Sequence, residues 1–213
     1  FGNRVIVIPY VMPGFALAKL VYEQTKDASW EDYEGMVLMN HGIFTFSDNA
    51  KESYERMILL VTKAEDYLGR AKALKPALGQ GACDPLELAR LRKNVSDLRG
   101  VPVVAKLDSS PEAIGFANLE NAGEIGTRGP LTPDHSIFAK RVPVYLSENT
   151  GDSIDTYASE YKSYFDRNAS NGLTCLDSAP RWGIWPGRGL ISFGLNPKHA
   201  AVVGDIASHT TRV

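Results

Sequence analysis

The chain has 213 residues, with 23 lysines and arginines against 25 aspartates and glutamates, and a formal net charge of −2 at pH 7. A weakly acidic chain lacks the positive surface that nucleic-acid binding requires, and this one has no apolar run long enough to cross a bilayer. We therefore expect neither nucleic acid nor membrane as a partner. Its two cysteines, Cys83 and Cys175, are too few for a disulfide scaffold, and a cytoplasmic location is expected.

The first third of the chain predicts a strand and a helix, followed by two short strands around a turn. Residues 5–11 favour a strand, which Pro13-Gly14 ends, and residues 15–24 favour a helix with one apolar face. A buried strand is then predicted over residues 36–39. It breaks at Asn40-His41-Gly42, before a second apolar piece over residues 43–46.

A long amphipathic helix is predicted after this second strand. Asn49 suits its N-cap, and Glu52 stands three residues later, as in a capping box. Apolar residues then recur at steps of three and four, and Pro76 should end the helix within residues 73–76.

The remaining residues predict a further set of helices and strands. The first of these are a flexible link at 79–81, a helix from Asp84-Pro85 to Gly100, a strand at 101–107 and a helix entered through Ser110. A glycine-rich loop at 123–129 and a strand-rich segment at 130–146 follow. The last are a helix at 156–167, a loop at 168–181, strands within 182–193 around a turn at 186–189, and a helix from Asn196.

Two segments of the first part match segments of the second. Residues 41–51 fall on residues 188–198 after a shift of 147, so that Gly42 meets Gly189 and His41 meets Arg188. Residues 4–14 fall on residues 141–151 after a shift of 137. Such sparse identities also arise by chance between strand–turn–helix units, but two matches in the same order favour an internal repeat.

His41 stands at the end of a predicted buried strand, beside a glycine. A lone histidine in an apolar setting is more often a structural residue than a metal ligand. However, PYVMPGFALAKLVYE (residues 9–23) and the strand that runs into Asn-His-Gly and a long helix resemble the class II aldolase/adducin family over residues 4–68. That resemblance implies that His41 is a zinc ligand, the third after an upstream His-x-His pair. The chain then looks truncated at its N-terminus.

The resemblance implies an α/β, three-layer class II aldolase/adducin-like fold, with an incomplete first copy and a degenerate second copy. We expect residues 1–78 to be the C-terminal part of the aldolase-like domain, residues 79–100 a linker and helix, and residues 101–213 the degenerate repeat. In that repeat Arg188 replaces the metal histidine, and Asp108-Ser109-Ser110 stand where the family has His-x-His. Arg188 could bind an anion or make only a surface ion pair.

Over the whole chain the sequence resembles bifunctional proteins that join a rhamnulose-1-phosphate-type aldolase to a short-chain dehydrogenase. The resemblance includes Pro133-Asp134-His135, then Lys140, and a Pro-Gly-x-Gly turn at residues 186–189. Asp134, His135, Lys140 and Arg188 are therefore candidates for anion or substrate binding. An ordinary turn at Asp134 with a half-exposed His135 is the alternative. No glycine-rich dinucleotide fingerprint is found.

The function that this resemblance implies is zinc-dependent cleavage of a ketose 1-phosphate, with a small phosphorylated sugar as partner. It also implies that the chain forms a homo-oligomer such as a tetramer. This chain would carry only part of the site and would be inactive alone. Two alternatives stay open. One is a sugar-phosphate epimerase or decarboxylase on the same scaffold, and the other is a non-catalytic, adducin-like assembly module.

Overall fold

The computed structural model describes residues 1–71, 77–170 and 172–213. The chain forms two compact units, residues 1–75 and 76–213, and each combines helices with a β-sheet. This mixed α/β architecture is the fold class that the sequence predicts. Within the described ranges, no helix has both the length and the apolar character needed to cross a membrane.

The first unit contains a three-stranded sheet with strand order β1-β2-β3. Strands β1 and β2 are parallel, and β2 and β3 form an antiparallel hairpin. Its core consists of Ile8, Leu17, Met36 and Leu38. The elements are β1 (Val5–Ile8), α1 (Phe15–Thr25), a 3-10 turn (Trp30–Asp32), β2 (Gly35–Leu38), β3 (Gly42–Phe44) and α2 (Ala50–Arg70).

Helix α2 begins at the N-cap that the sequence predicts. The side-chain oxygen of Asn49 accepts hydrogen bonds from the backbone N–H groups of Lys51 and Glu52, at 2.9 and 3.4 Å. The carboxylate of Glu52 does not complete a capping box, because it accepts hydrogen bonds from Ser47 and Arg56 instead. Leu60 is the buried residue of the helix. The predicted helix end within residues 73–76 lies outside the described residues.

The second unit contains a four-stranded sheet with strand order β4-β7-β6-β5. Strands β5 and β6 are parallel, and the other two pairings are antiparallel. The elements are α3 (Pro85–Arg99), β4 (Val104–Asp108), α4 (Pro111–Ala117), α5 (Ala122–Gly126), a π-helical turn (His135–Ala139), β5 (Val144–Tyr145), α6 (Thr150–Asn168), β6 (Trp182–Trp185), β7 (Gly189–Gly194) and α7 (Pro197–Thr210).

Helices cover both faces of this second sheet. Alternate residues of β7 point to opposite faces, as a pleated strand requires: Ile191 and Phe193 pack in one core cluster, and Leu190 packs in the other. Helices α3 and α6 contribute to the first cluster, and α4 and α7 contribute to the second. The second unit is therefore a three-layer α/β/α arrangement.

Three predictions for the second unit differ from the structure. Residues 79–81 are not a loose link, because a Cβ on Gly81 would lie 2.0 Å from the carbonyl oxygen of Gly187. The helix that follows also packs in the core of this unit, since Leu91 and Val95 of α3 are fully buried there.

The other differences concern secondary structure. The glycine-rich stretch predicted as a loop contains helix α5. The segment at 130–146, predicted to be rich in strands, contains the π-helical turn and the two-residue strand β5. In both stretches local composition gave the wrong element because tertiary packing decides it.

Candidate functional site

His41 lies in the three-residue turn that joins β2 to β3. Its N–H donates a hydrogen bond to the carbonyl oxygen of Leu38 at 3.0 Å. Asn40, in the middle of the turn, has a left-handed backbone with φ 57°, which asparagine tolerates better than most residues. Gly42 follows with φ 154°. The predicted Asn-His-Gly break is thus a tight hairpin turn, and it exposes the histidine.

The imidazole of His41 lies beside the ring of Phe44, with 5.8 Å between ring centres. Within the part of the chain that the structure describes, no three or more His, Cys, Asp and Glu side chains cluster closely enough to hold a metal ion. A catalytic zinc site takes three protein ligands. Among the described residues, His41 therefore does not belong to a cluster of three metal donors.

Arg188 occupies the corresponding position in the turn between β6 and β7. The backbone N–H of Arg188 donates a hydrogen bond to the carbonyl oxygen of Trp185 at 2.9 Å. The middle residue, Gly187, has φ 73°, and the glycine after the arginine, Gly189, has φ 115°. The turn therefore has the same length and the same closing hydrogen bond as the turn that carries His41. In both turns the middle residue has a left-handed backbone.

The strands around the two turns also pair alike. Leu38 pairs with Gly42 at the end of the first hairpin, and Trp185 pairs with Gly189 at the end of the second. In each unit the first hairpin strand also pairs in parallel with an earlier strand, β1 in one case and β5 in the other. The arginine thus takes the place in the second unit that the histidine takes in the first.

The guanidinium of Arg188 makes an ion pair and also lines a cavity. Its Nε and Nη2 donate to one carboxylate oxygen of Glu87, at 3.3 and 3.2 Å. A cavity of about 810 Å³ lies beside this pair, at the carboxyl ends of β5 and β6. Its charged lining is balanced, with Arg90 and Arg188 against Glu87 and Glu148. The ion pair and a ligand-binding role for Arg188 are therefore compatible.

Asp134 and His135 are placed differently from each other. Asp134 is exposed, whereas His135 is only 3% exposed. The His135 ring nitrogens lie 2.9 Å from the hydroxyl of Thr132 and 3.2 Å from that of Thr210. Burial lowers the pKa of His135, because it disfavours the charged imidazolium. The half-exposed histidine of the alternative interpretation is therefore wrong: His135 is a hydrogen-bonded core residue.

Lys140 follows the π-helical turn and is buried, with 4% of its side chain exposed. Its backbone is left-handed, φ 63°. The ammonium donates to the backbone carbonyl oxygens of Asp177 and of Ala179, the latter at 2.9 Å, and it lies 3.8 Å from the centre of the Tyr161 ring. Burial, together with the positive charge of Arg181, lowers the pKa of Lys140 to about 7.

Sequence analysis missed the three residues that surround Lys140. Arg181 donates two hydrogen bonds to the Asp177 carboxylate, at 2.7 and 2.6 Å. Arg99, the last residue of α3, has its Nε 3.9 Å from the same carboxylate. Burial raises the pKa of Asp177, but the hydrogen bonds and the charge of Arg181 outweigh it and hold that pKa below its usual value. Arg99 and Lys140 are far in sequence from each other and from the Asp177–Arg181 pair, and no local motif joins them.

The chain was compared with known protein families. Residues 83–213 match the family described as "Aldolase class II, second domain", and residues 1–68 match "Class II Aldolase and Adducin N-terminal domain". The chain belongs to the class II aldolase family. The gap between the two matches includes the division between the two compact units.

A curated relative of this class II aldolase-family chain is "Uncharacterized oxidoreductase YuxG" from Bacillus subtilis (strain 168). The two are 27% identical over 228 residues, which cover 97% of this chain and 33% of the relative. The chain therefore spans about a third of that protein's length. No solved structure matches the chain at a significant level.

Family membership supports a lyase-like enzyme of the class II aldolase type. It confirms the resemblance at the level of the family. The closer relation to the bifunctional rhamnulose-1-phosphate aldolase and dehydrogenase proteins stays a prediction, as do the roles of His41, Asp134, Lys140 and Arg188.

Proposed function

We propose that this chain is part of a zinc-dependent class II aldolase-type lyase that cleaves a ketose 1-phosphate similar to rhamnulose 1-phosphate. The observation that carries the proposal is the exposed His41 in its turn, within a segment that matches the class II aldolase and adducin N-terminal domain. Ligand sites of α/β proteins gather at the carboxyl ends of parallel strands, and His41 follows such an end, that of β2.

In this proposal His41 is one of the metal ligands, and the remaining donors come from outside the described residues. The chemistry that zinc supplies in such a site is Lewis-acid polarisation of substrate oxygen atoms. His41 suits the role of ligand because its imidazole is exposed, and the hydrogen bond of its backbone N–H closes the turn that carries it. Without the other donors the chain alone should be inactive.

The substrate class rests on the family and on the second unit. A binding site for a small phosphorylated sugar requires groups that form hydrogen bonds with its hydroxyls and cationic groups that bind its phosphate. The cavity beside Arg188 offers the hydroxyls of Ser147 and Thr150, and the guanidinium groups of Arg90 and Arg188 line it together with the carboxylates of Glu87 and Glu148. We further propose that the protein is a cytoplasmic homo-oligomer, with a tetramer as the expected form.

Two alternatives use the same features. A sugar-phosphate epimerase or decarboxylase would share the metal ligand, and only substrate tests would separate it from an aldolase. An adducin-like assembly module without catalysis is the second. A module of that kind would bind no metal.

The experiment that tests the proposal is elemental analysis of the complete gene product beside the variant His41→Ala. The lyase hypothesis expects about one zinc per chain in the wild type and its loss in the variant. His209→Ala is the matched control, since His209 is also exposed. It should keep the metal.

Each other result has a definite meaning. Zinc that His41→Ala leaves in place would show that the ligand assignment is wrong. No zinc under metal-replete conditions would contradict the lyase mechanism and favour the assembly module. Zinc without cleavage of any ketose 1-phosphate would favour the epimerase or decarboxylase.

A further inference from the structure

An imbalance of buried charge lies in the second unit, at the end of β6 opposite to Arg188. The side chains of Arg99, Lys140 and Arg181 are 8%, 4% and 9% exposed. Asp177 is the carboxylate that faces all three of them, and it is 29% exposed. Three buried cationic groups therefore share one carboxylate. Buried charges are normally paired, because an unpaired charge in a protein interior is costly.

The carboxylate is not shared evenly. Arg181 takes both oxygens of Asp177 in a bidentate pair, at 2.7 and 2.6 Å. Lys140 is satisfied by two backbone carbonyl oxygens. The guanidinium of Arg99 comes no closer to Asp177 than 3.9 Å. Among the residues that the structure describes, Nη1 of Arg99 is the one buried side-chain nitrogen or oxygen without a hydrogen-bond partner.

We propose that Arg99, Lys140 and Arg181 form a binding site for a phosphate-type oxyanion, with the guanidinium of Arg99 as its anchor. A guanidinium binds phosphate through parallel N–H donors, and these donors are what Arg99 has left over. The site is distinct from the turn of Arg188, because Arg181 precedes β6 and Arg188 follows it. The inference does not depend on the proposed lyase activity.

The charge of the cluster favours a dianion over a carboxylate. Three cations against one carboxylate leave an excess of up to two positive charges, which a phosphate monoester, with about −1.5 to −2 at neutral pH, would neutralise. The positive charge acts on its whole surroundings. Burial lowers the pKa of His199 in the first turn of α7, and the positive charges of Arg99 and Arg181 lower it further. Burial likewise lowers the pKa values of Arg99 and Lys140, and the charge of Arg181 adds to the effect on both.

The test is thermal unfolding of the complete gene product in inorganic phosphate, with sodium chloride and sodium acetate at equal ionic strength as references. A ligand that binds only the folded state raises the unfolding temperature. Phosphate at about a hundred times its Kd should raise the wild-type unfolding temperature by about 5 to 10 °C over chloride. Acetate should have a much smaller effect.

The variants locate the effect. Arg99→Gln should abolish the phosphate shift, and Arg99→Lys, which keeps the charge but not the paired donors, should retain part of it. Arg128→Gln is the matched control, because Arg128 belongs to the same unit and is 68% exposed, and it should respond as the wild type does. Carbon-13 NMR of lysine Cε supplies an independent measurement, because phosphate should raise the pKa of Lys140. The signal of Lys140 is the one that is lost in the variant Lys140→Arg.

The result that would overturn the proposal is an equal phosphate shift in the wild type and in Arg99→Gln. The absence of any phosphate shift in the wild type would overturn it as well. An acetate shift as large as the phosphate shift would overturn the preference for a dianion.

Discussion

His41 and Arg188 stand at the same position of two hairpin turns that are built alike. In each turn the N–H of the residue donates to the carbonyl oxygen three residues earlier, at 3.0 Å for His41 and 2.9 Å for Arg188. Neither side chain belongs to a core cluster. The position can therefore carry an imidazole in one unit and a guanidinium in the other without a change in the hairpin.

The first prediction follows from this similarity. The substitutions His41→Arg and Arg188→His should each change the free energy of unfolding by less than about 1 kcal/mol, because both positions lie outside the core. The larger effect is expected for Arg188→His, which removes the partly exposed pair with Glu87. Urea unfolding of each variant measures the difference. A loss above about 3 kcal/mol in either variant would show that the side chain supports the fold.

The glycines that follow the two turns should respond differently to alanine. Gly42 has space for a Cβ, so Gly42→Ala should lose only about 1 kcal/mol through its positive φ. A Cβ on Gly189 would lie 2.1 Å from the carbonyl oxygen of Asp108. Gly189→Ala should therefore lose about 3 kcal/mol or more. Urea unfolding of both variants tests the order, and equal losses would mean that the contact with Asp108 yields easily.

Lys140 should make stability depend on pH above neutrality. Its pKa is about 7 in the folded protein and near the usual lysine value of 10.5 when unfolded. Between these values the unfolded state binds more protons, so the free energy of unfolding should rise with pH, by up to about 1.4 kcal/mol per unit. Lys140→Met should remove this rise. Chemical unfolding from pH 7 to 10 in chloride measures it, and parallel curves for wild type and variant would contradict the prediction.

His135 should make the stability of the protein depend on pH below neutrality. Burial lowers its pKa below the usual histidine value of 6.5, so below that pH the unfolded state binds more protons and stability falls as the pH drops. His135→Ala should remove this dependence. It should also lose about 2 kcal/mol at pH 8, since Thr210 is left without its partner in the core. Unfolding at pH 5 and pH 8 separates the two effects. A variant with an unchanged pH dependence would show that another group is responsible.

Local signals were sufficient to predict the starts of most helices. Helices were predicted to begin at Asn49, Asp84, Ser110 and Asn196, and each of these side chains accepts a backbone hydrogen bond in the first turn of its helix. Gly100 likewise ends α3 with a left-handed backbone, as predicted. These features depend on residues within one helical turn of each other, so they can be predicted from the sequence alone.

Packing decided what the sequence could not predict. Helix α5 forms in a glycine-rich stretch because Gly126 leaves room for Ile184, which would lie 2.3 Å from a Cβ there. The candidate site was predicted only in part. His41 and Lys140 were named from a resemblance, but the cluster around Lys140 joins positions 99, 140, 177 and 181, and only the tertiary fold brings them together.

The unequal cores of the two units have a consequence for His41. The core cluster of the first unit has four buried residues, whereas the second unit has two core clusters of eleven each within the described residues. Segments with few buried contacts open at a lower free energy than the rest of a protein, so amide hydrogens of the first unit should exchange sooner. A metal bound at His41 would then be coupled to local folding, and amide exchange in residues 1–71 would report its occupancy.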